Sequence, residues 1–487
     1  MSSLLLSALS GVLLGLAFSV GGLSFLVWFS LFGFFIVIKR AGIKDGLLSA
    51  FIFSLCYHGI AMYWLNHVTT LGFIALLLYL SLYSLLFFLS AKYFFKRPFK
   101  IITIPCLWIT FEFLRENIWP YCGWTSLGYT QASNTYFIQI ADIAGVKLLS
   151  FIIVLVNVYF LELISFLKQR KILKVAPLSI LKKSLSVVLI LSLSAVYSVY
   201  RLKALKPSSS VKVSIVQPAT PEESKYNYTL SPGIIKSLFY LGKRTKEDTL
   251  TIFPEAAWPY LVNQDNISDL KDFAKSIKRD SLIGVVKSEK NKFYNAALFI
   301  DKNGNFIKAY RKIKLVPYGE YIPLRKFLGF ISVINQIGDM SPGKQGEKFN
   351  YKDKVFSVLI CFEDAFSELV REFAKGSDFL VNITNDAWFY GDPQSWQHLN
   401  IMTLRAIENR ISIVRSANTG ISGWVSFKGQ KHLLTRDKRF VFFPAQDYFT
   451  VSLNNERSIY NKFGEWFIFL SGLILIAVCI GSRQKEG

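Results

Sequence analysis

Long apolar runs separated by short basic blocks fill roughly the first 200 residues, after which the pattern changes. The runs lie near 4–20, 23–38, 47–65, 71–91, 100–118, 147–167 and 184–200, with one more near 465–481. A bilayer core takes roughly 20 helical residues, so the pattern predicts about eight membrane-spanning helices. The first run lacks a preceding basic segment and a second run follows at once, so it reads as half of a retained hairpin, not a cleaved signal. Lys39, Arg40 and Lys44 follow the second run, and Lys92, Lys96, Arg97 and Lys100 the fourth. Lys168, Arg170, Lys171, Lys174, Lys182 and Lys183 follow the sixth, whereas residues 46–91 hold no Lys, Arg, Asp or Glu. The positive-inside rule then puts these basic loops and both termini in the cytoplasm, and the long segment between the seventh and eighth runs outside.

That outer segment opens after the linker-like Lys206-Pro207-Ser208-Ser209-Ser210 and runs to about Arg457. Its apolar runs are short and rich in β-branched and aromatic residues. They predict strands at Val211–Val216, Thr249–Phe253, Ser281–Val286, Ala296–Ile300, Val355–Ile360, Phe379–Ile383, Ile411–Val414, Gly423–Phe427 and Tyr448–Leu453. Helical patterns at 264–278, 366–375 and 395–409 fall between them. Alternating strands and helices imply a layered α/β fold. The expected organisation is a transmembrane domain at 1–204, an extramembrane domain at 205–457, and a last spanning helix with a tail at 458–487.

Composition agrees with a membrane protein carrying a large polar part. Hydrophobic residues make up 52% and charged residues 18%. The formal charge of +23 would suggest nucleic acid in a soluble chain. Here much of it borders apolar runs, where topology and anionic headgroups account for it, so no nucleic-acid partner is expected. Of five cysteines, only Cys361 lies in the outer segment, where it has no disulfide partner. The four histidines are scattered, so neither a metal nor another cofactor is expected.

Three polar residues sit at or just after strand ends, where α/β folds gather reactive groups. Glu255 follows Thr-Leu-Thr-Ile-Phe-Pro, Lys312 lies in the stretch 309–323, and Cys361 follows Val-Phe-Ser-Val-Leu-Ile. Singly, each reads more readily as a cap, a solvated charge or a small core residue. Together they supply a base, a cation and a nucleophile, the inventory of acyl transfer.

With these residues in view, the segment resembles the nitrilase (carbon–nitrogen hydrolase) superfamily, whose Glu, Lys and Cys come in this order. The matching stretches are Phe253-Pro254-Glu255, Tyr310-Arg311-Lys312, Leu315 to Glu320, Ile360-Cys361-Phe362-Glu363, Asn385 to Phe389, Trp396-Gln397-His398, Arg405 to Arg410 and Arg415 to Gly420. With its flanking apolar runs the whole chain is similar to the membrane branch, the apolipoprotein N-acyltransferases. It departs from the pattern at Pro218-Ala219, at Phe362 where a Tyr is usual, and around Ile313-Lys314, where a His is common. No departure removes a member of the catalytic set.

The resemblance implies an αββα sandwich and an enzyme of the bacterial inner membrane, its catalytic domain periplasmic. Its implied activity is the last step of lipoprotein maturation. An acyl chain passes from a phospholipid to Cys361 as a thioester, then to the N-terminal amine of a diacylglyceryl-cysteine lipoprotein. Glu255 would be the base, with Lys312 favouring the thiolate and binding the oxyanion. Glu320 and Glu363 would support them, Glu363 facing the pocket if its strand continued. A monomer is expected. The apolar run at 324–339 reads either as a lid dipping toward lipid or as a core helix. Arg325, Phe327 and Ile331 are the lid candidates, with Trp388 as a further substrate contact. A membrane-anchored amidase that releases its acyl group to water, and a transporter with a vestigial outer domain, are the competing readings.

Overall fold

The computed structural model describes residues 2–173, 178–225, 227–322, 339–391 and 393–483. It falls into two compact units, Met1–Leu205 with Ser458–Gly487, and Lys206–Arg457.

The first unit is helical. Among the described residues, three helices are long and apolar enough to cross a membrane: Thr70–Phe94, Val146–Lys168 and Leu181–Ala204. At 1.5 Å per residue the first of them is about 37 Å long, more than the hydrocarbon core requires. The helices Ser3–Ser19 and Trp466–Ser482 are apolar but shorter.

Other expected spans take different forms. The run at 23–38 is broken into Ser24–Leu26, Val27–Ser30 and Phe32–Arg40. Asn157 stands at the break, donating from Nδ2 to the Val27 carbonyl at 3.0 Å and accepting the Leu31 N–H on Oδ1 at 3.1 Å. A buried side-chain amide there replaces bonds that a continuous helix would make to itself. The run at 100–118 forms the helix Lys100–Asn117, but its second half buries Glu112, Arg115 and Glu116. These charges take internal partners: Lys147 Nζ donates to Glu116 Oε2 at 2.6 Å, and Trp108 Nε1 to Glu112 Oε1 at 2.9 Å.

Two features bear on the environment of this unit. Along Leu181–Ala204, Leu185, Val188, Leu193 and Val196 all stand exposed, the first and last at 67%. Such a stripe is unfavourable in water and suits an apolar solvent. In addition, Lys39, Lys100 and Lys183 converge on Glu162 at 3.2–3.5 Å. Three of the basic connecting segments therefore meet at one end of the unit.

The second unit stacks two six-stranded sheets. From edge to edge the first runs Ala445–Leu453, Ser209–Gln217, Leu250–Ile252, Asp280–Glu289, Lys292–Ile300, Phe306–Arg311, and the second Lys431–Leu433, Gly423–Val425, Ser412–Ala417, Phe379–Thr384, Lys354–Ile360, Lys348–Tyr351. In chain order they are β1 Ser209–Gln217, β2 Leu250–Ile252, β3 Asp280–Glu289, β4 Lys292–Ile300, β5 Phe306–Arg311 and β6 Lys348–Tyr351. The remainder are β7 Lys354–Ile360, β8 Phe379–Thr384, β9 Ser412–Ala417, β10 Gly423–Val425, β11 Lys431–Leu433 and β12 Ala445–Leu453. β1, β2 and β3 run parallel, as do β7, β8 and β9, and antiparallel strands complete each sheet.

Strand periodicity sorts the side chains into layers. Val213 and Ile215 of β1, Leu282 of β3 and Ala297 and Phe299 of β4 join Val358, Ile360, Val381 and Val414 between the sheets. Their alternates, Val216, Ile283, Val285, Ala296 and Leu298, pack outward against the helices Ser231–Lys243 and Ile267–Ile277. On the second sheet, Val370 and Phe373 of Ser367–Ala374 and Leu399, Met402 and Ala406 of Gln394–Asn409 cover the outer face. The architecture is an αββα sandwich. Ser416 Oγ ties the sheets together, reaching the carbonyls of Val216 at 2.9 Å and Ile252 at 3.2 Å.

Candidate active site

The parallel strands of both sheets deliver polar residues at their C-terminal ends. Glu255 follows β2, Cys361 follows β7, Asn385 and Asp386 follow β8, and Asn418 follows β9; Lys312 follows the antiparallel β5. The Glu255 segment can lie against β3 because position 284 has no side chain. A Cβ at Gly284 would come within 2.2 Å of the Pro254 carbonyl oxygen and 2.7 Å of Glu255 Cα. These obstructions are backbone atoms, so they cannot rotate away. Gly284→Ala is therefore expected to displace the Glu255 segment and, if this cluster is the reacting centre, to slow turnover by about 10²-fold, the order that misplacement near a reacting centre produces. A turnover assay beside a melting curve would check it, and an unchanged rate would count against this placement.

Lys312 is the hub. Its Nζ lies 2.9 Å from Glu320 Oε2 and 3.5 Å from Glu255 Oε1, and its side chain is 1% exposed. Asn295 of β4 links the same two carboxylates, donating from Nδ2 to Glu255 Oε1 at 2.6 Å and to Glu320 Oε1 at 2.7 Å. The Asn295 carbonyl also accepts the Lys312 backbone N–H at 2.8 Å. Glu255 Oε2 accepts the Asn385 N–H at 2.7 Å, and Glu320 Oε2 the Val316 N–H at 2.9 Å. The Phe362 ring lies with its centroid 5.4 Å from Lys312 Nζ. Position 362 thus offers the cation an aromatic face.

The chain at Cys361 leaves the strand. Its φ is +55°, a left-handed conformation costly for any residue with a side chain. Residues Cys361–Ala365 wind into a 3₁₀ turn. The Cys361 carbonyl accepts from Asn382 Nδ2 at 2.9 Å. Burial pushes the thiol well above its ordinary range, and the Glu255 carboxylate raises it further, while Lys312 pulls it down. Lys312 loses this contest to burial first and to Glu255 second. Burial opposes the Lys312 charge too, but Glu320 and then Glu255 hold the ammonium protonated well above the ordinary lysine range. Glu255 is itself raised, by burial first and by Glu320, with Lys312 and Lys225 pulling the other way. The resting pair is therefore a thiol beside a carboxylate of raised basicity. Lys312 does favour the thiolate, as expected, but burial and the Glu255 carboxylate outweigh it.

Because the strand ends at Ile360, Glu363 does not extend along β7. Its carboxylate is fully buried and accepts the N–H groups of Ile360 at 2.8 Å, Ile313 at 2.7 Å and Lys314 at 3.0 Å, with the Tyr310 hydroxyl at 2.8 Å. Ile313 and Lys314 directly follow Lys312, so Glu363 fastens the lysine segment to the cysteine turn. Burial pushes its pKa up to about 7, against the amides of Ile360 and Lys314 and the charge of Lys312.

Beneath the cysteine turn lies an ion network invisible in the motifs alone. Asp386 Oδ2 pairs with Arg415 Nη2 at 2.8 Å, and Arg415 Nη1 donates to Asn382 Oδ1 at 2.8 Å, the same Asn382 that holds the Cys361 carbonyl. His398 Nε2 meets Asp364 Oδ1 at 2.9 Å. Burial works against the Asp386 charge, but Arg415 and His398 hold it well below the usual carboxylate range. Trp388 lies in the turn Ala387–Phe389 and is 44% exposed. Arg325, Phe327 and Ile331 fall outside the described residues.

Comparison with known proteins bears on both units. Residues 10–159 match the family model for the apolipoprotein N-acyltransferase N-terminal domain, and residues 212–442 that for carbon-nitrogen hydrolase. The apolipoprotein N-acyltransferase of Geobacter metallireducens is 31% identical over 99% of this chain and 96% of its own. That of Thermotoga maritima is 28% identical over 99% of this chain and 94% of its own. Among solved structures, an amidase from Nesterenkonia sp. AN1 aligns with 51% of this chain and 93% of its own, at 17% identity and a TM-score of 0.38.

Proposed function

The chain belongs to the apolipoprotein N-acyltransferase family, it N-acylates lipoproteins, and we propose that it does so through a thioester on Cys361. The observation that carries this reading is the Glu255–Lys312–Glu320 cluster, closed within 3.5 Å, whose Glu255 and Lys312 charges act on the Cys361 thiol.

In the first half-reaction Cys361 Sγ attacks an ester carbonyl of a phospholipid while its proton passes to Glu255. A thiol with raised pKa beside a carboxylate with raised pKa suits transfer during attack rather than beforehand. Negative charge develops on the carbonyl oxygen, and Lys312 is the buried cation available to it. Collapse of the tetrahedral species breaks the ester bond, and the lyso-lipid oxygen leaves with the proton from Glu255. In the second half the N-terminal amine of a diacylglyceryl-cysteine attacks the thioester carbonyl and gives a proton to Glu255. The C–S bond breaks, the amide forms, and the sulfur recovers its proton.

The membrane-spanning helices number about eight in this reading, counting the shorter and broken ones. They sit in the bacterial inner membrane with the Lys206–Arg457 unit periplasmic and both termini cytoplasmic, and the enzyme works as a monomer. The lysines gathered around Glu162 support a shared cytoplasmic end.

Intact-mass measurement on the purified full-length protein tests the chemistry. Phospholipid should add one acyl group to Cys361, and a diacylglyceryl lipopeptide with a free amine should remove it and carry the added mass. Discharge to water with release of fatty acid would favour the amidase reading, and no adduct at all would end the thioester proposal.

A further inference from the structure

Glu255 is held from two sides, and the second side uses residues that the mechanism above does not. The Asn385 backbone N–H donates to Glu255 Oε2 at 2.7 Å, and its side-chain Nδ2 donates to Glu222 Oε2 at 2.6 Å. Asn385 is itself fixed, because Asn418 Nδ2 donates to its Oδ1 at 2.9 Å. Asn418 also clasps Thr220, accepting its N–H at 2.9 Å and donating to its carbonyl at 2.8 Å. The chain after β1, including the unusual Pro218-Ala219, is thereby anchored beside the base.

Lys225 completes this second side. Its Nζ lies 3.7 Å from Glu222 Oε2, its side chain is only 9% exposed, and the ammonium makes no hydrogen bond among the described residues. A buried cation left without hydrogen bonds is costly. Burial pushes Lys225 below the ordinary lysine range, with Glu222 and then Glu255 pulling the other way. The Lys225 charge therefore acts on the base as well as on Glu222.

Resting on the reading of Glu255 as the base, we propose that Glu222 and Lys225 form its positioning pair, aiming the carboxylate through Asn385 and tuning its proton affinity by their opposed charges. Among the described residues the groups around Glu255 are Lys312, Glu320, Lys225 and the Cys361 thiol, with Asn295 and Asn385 as neutral donors and Glu222 behind Asn385. Within this set Lys225 offsets part of the surplus negative charge that Glu255 and Glu320 leave against Lys312.

The sign of the consequence follows. Glu255 acts as a base only when ionised, so the acidic limb of the acylation rate reports its proton affinity. Removing the Lys225 cation makes ionisation harder and moves that limb to higher pH. Removing the Glu222 anion, while keeping an acceptor for Asn385, moves it lower.

The test is single-turnover acylation of Cys361 in full-length enzyme, with phosphatidylethanolamine in mixed micelles as donor, followed by intact mass across pH. Lys225→Met should shift the acidic limb upward by about 0.5–1 pH unit, the order expected of a nearby buried charge, and leave the plateau within about threefold. Lys225→Arg should restore the wild-type limb. Glu222→Gln should shift it downward, and this near-isosteric variant decides the matter even if Lys225→Met fails to fold. Limbs that stay in place, or rates that fall by one factor at every pH, would overturn the positioning role. A wild-type enzyme that never takes up an acyl group would instead overturn the thioester reading, and this inference with it.

Discussion

Cys361→Ala is expected to abolish acyl-enzyme formation and lipoprotein acylation, a loss on the order of 10⁶-fold where a covalent nucleophile is removed. The fold should tolerate the change. The hydrogen bond from Asn382 goes to the backbone carbonyl at 361, which alanine retains. The left-handed φ of +55° strains alanine and cysteine alike. Melting temperature should therefore stay near that of the wild type while intact mass shows no adduct. Cys361→Ser should fare little better, because a hydroxyl proton is harder to remove than a thiol proton and the surplus negative charge around the site opposes either anion. A variant that still acylates lipopeptide without Cys361 would remove the nucleophile from the proposal. Under the transporter reading, the same substitution should leave function intact.

What the sequence makes legible here, and what it hides, follows from the range of the forces involved. Glu255, Lys312 and Cys361 stand out because each interrupts or follows a short apolar run, and strand ends collect reactive groups. Asn295 does not stand out. Between Tyr294 and Ala296 it reads as an ordinary polar position of an alternating strand, and its importance appears only when Glu255 and Glu320 arrive on either side of its amide. Glu222 and Lys225 look like solvated charges in a polar stretch for the same reason. The direction of Glu363 is hidden because the strand period holds only to Ile360, and the backbone turns left-handed at Cys361. The strands β5, β6 and β11 are short or partly exposed, so hydrophobic pattern alone does not mark them. The apolar run at 23–38 is broken by an asparagine 130 residues away from Val27. Local pattern records burial, but partners distant in sequence decide where an element ends.

Lys312→Met should be the most damaging change among the residues that flank the nucleophile. Its ammonium is the cation between two carboxylates that share the single Asn295 amide, at 2.6 Å and 2.7 Å. Without it, Glu255 and Glu320 face each other uncompensated in a buried site, so one of them takes up a proton. If that is Glu255, the base is lost; if it is Glu320, the surviving negative charge opposes the anion that forms at sulfur. The developing oxyanion also loses its cation, which alone is worth about 10²–10³ in rate. The combined loss is expected to reach about 10⁴-fold. Whatever activity remains should move to higher pH, because removing a cation raises the proton affinity of Glu255. Breaking a buried pair whose lysine is 1% exposed should also cost about 3–5 kcal/mol of stability, measurable as an earlier melt in detergent. Lys312→Arg should not rescue the rate, since a planar guanidinium cannot take the place of a compact ammonium held between Glu320, Glu255 and the Phe362 ring. If Lys312→Met acylated Cys361 within tenfold of the wild-type rate, the cluster would be structural and the oxyanion would need another partner.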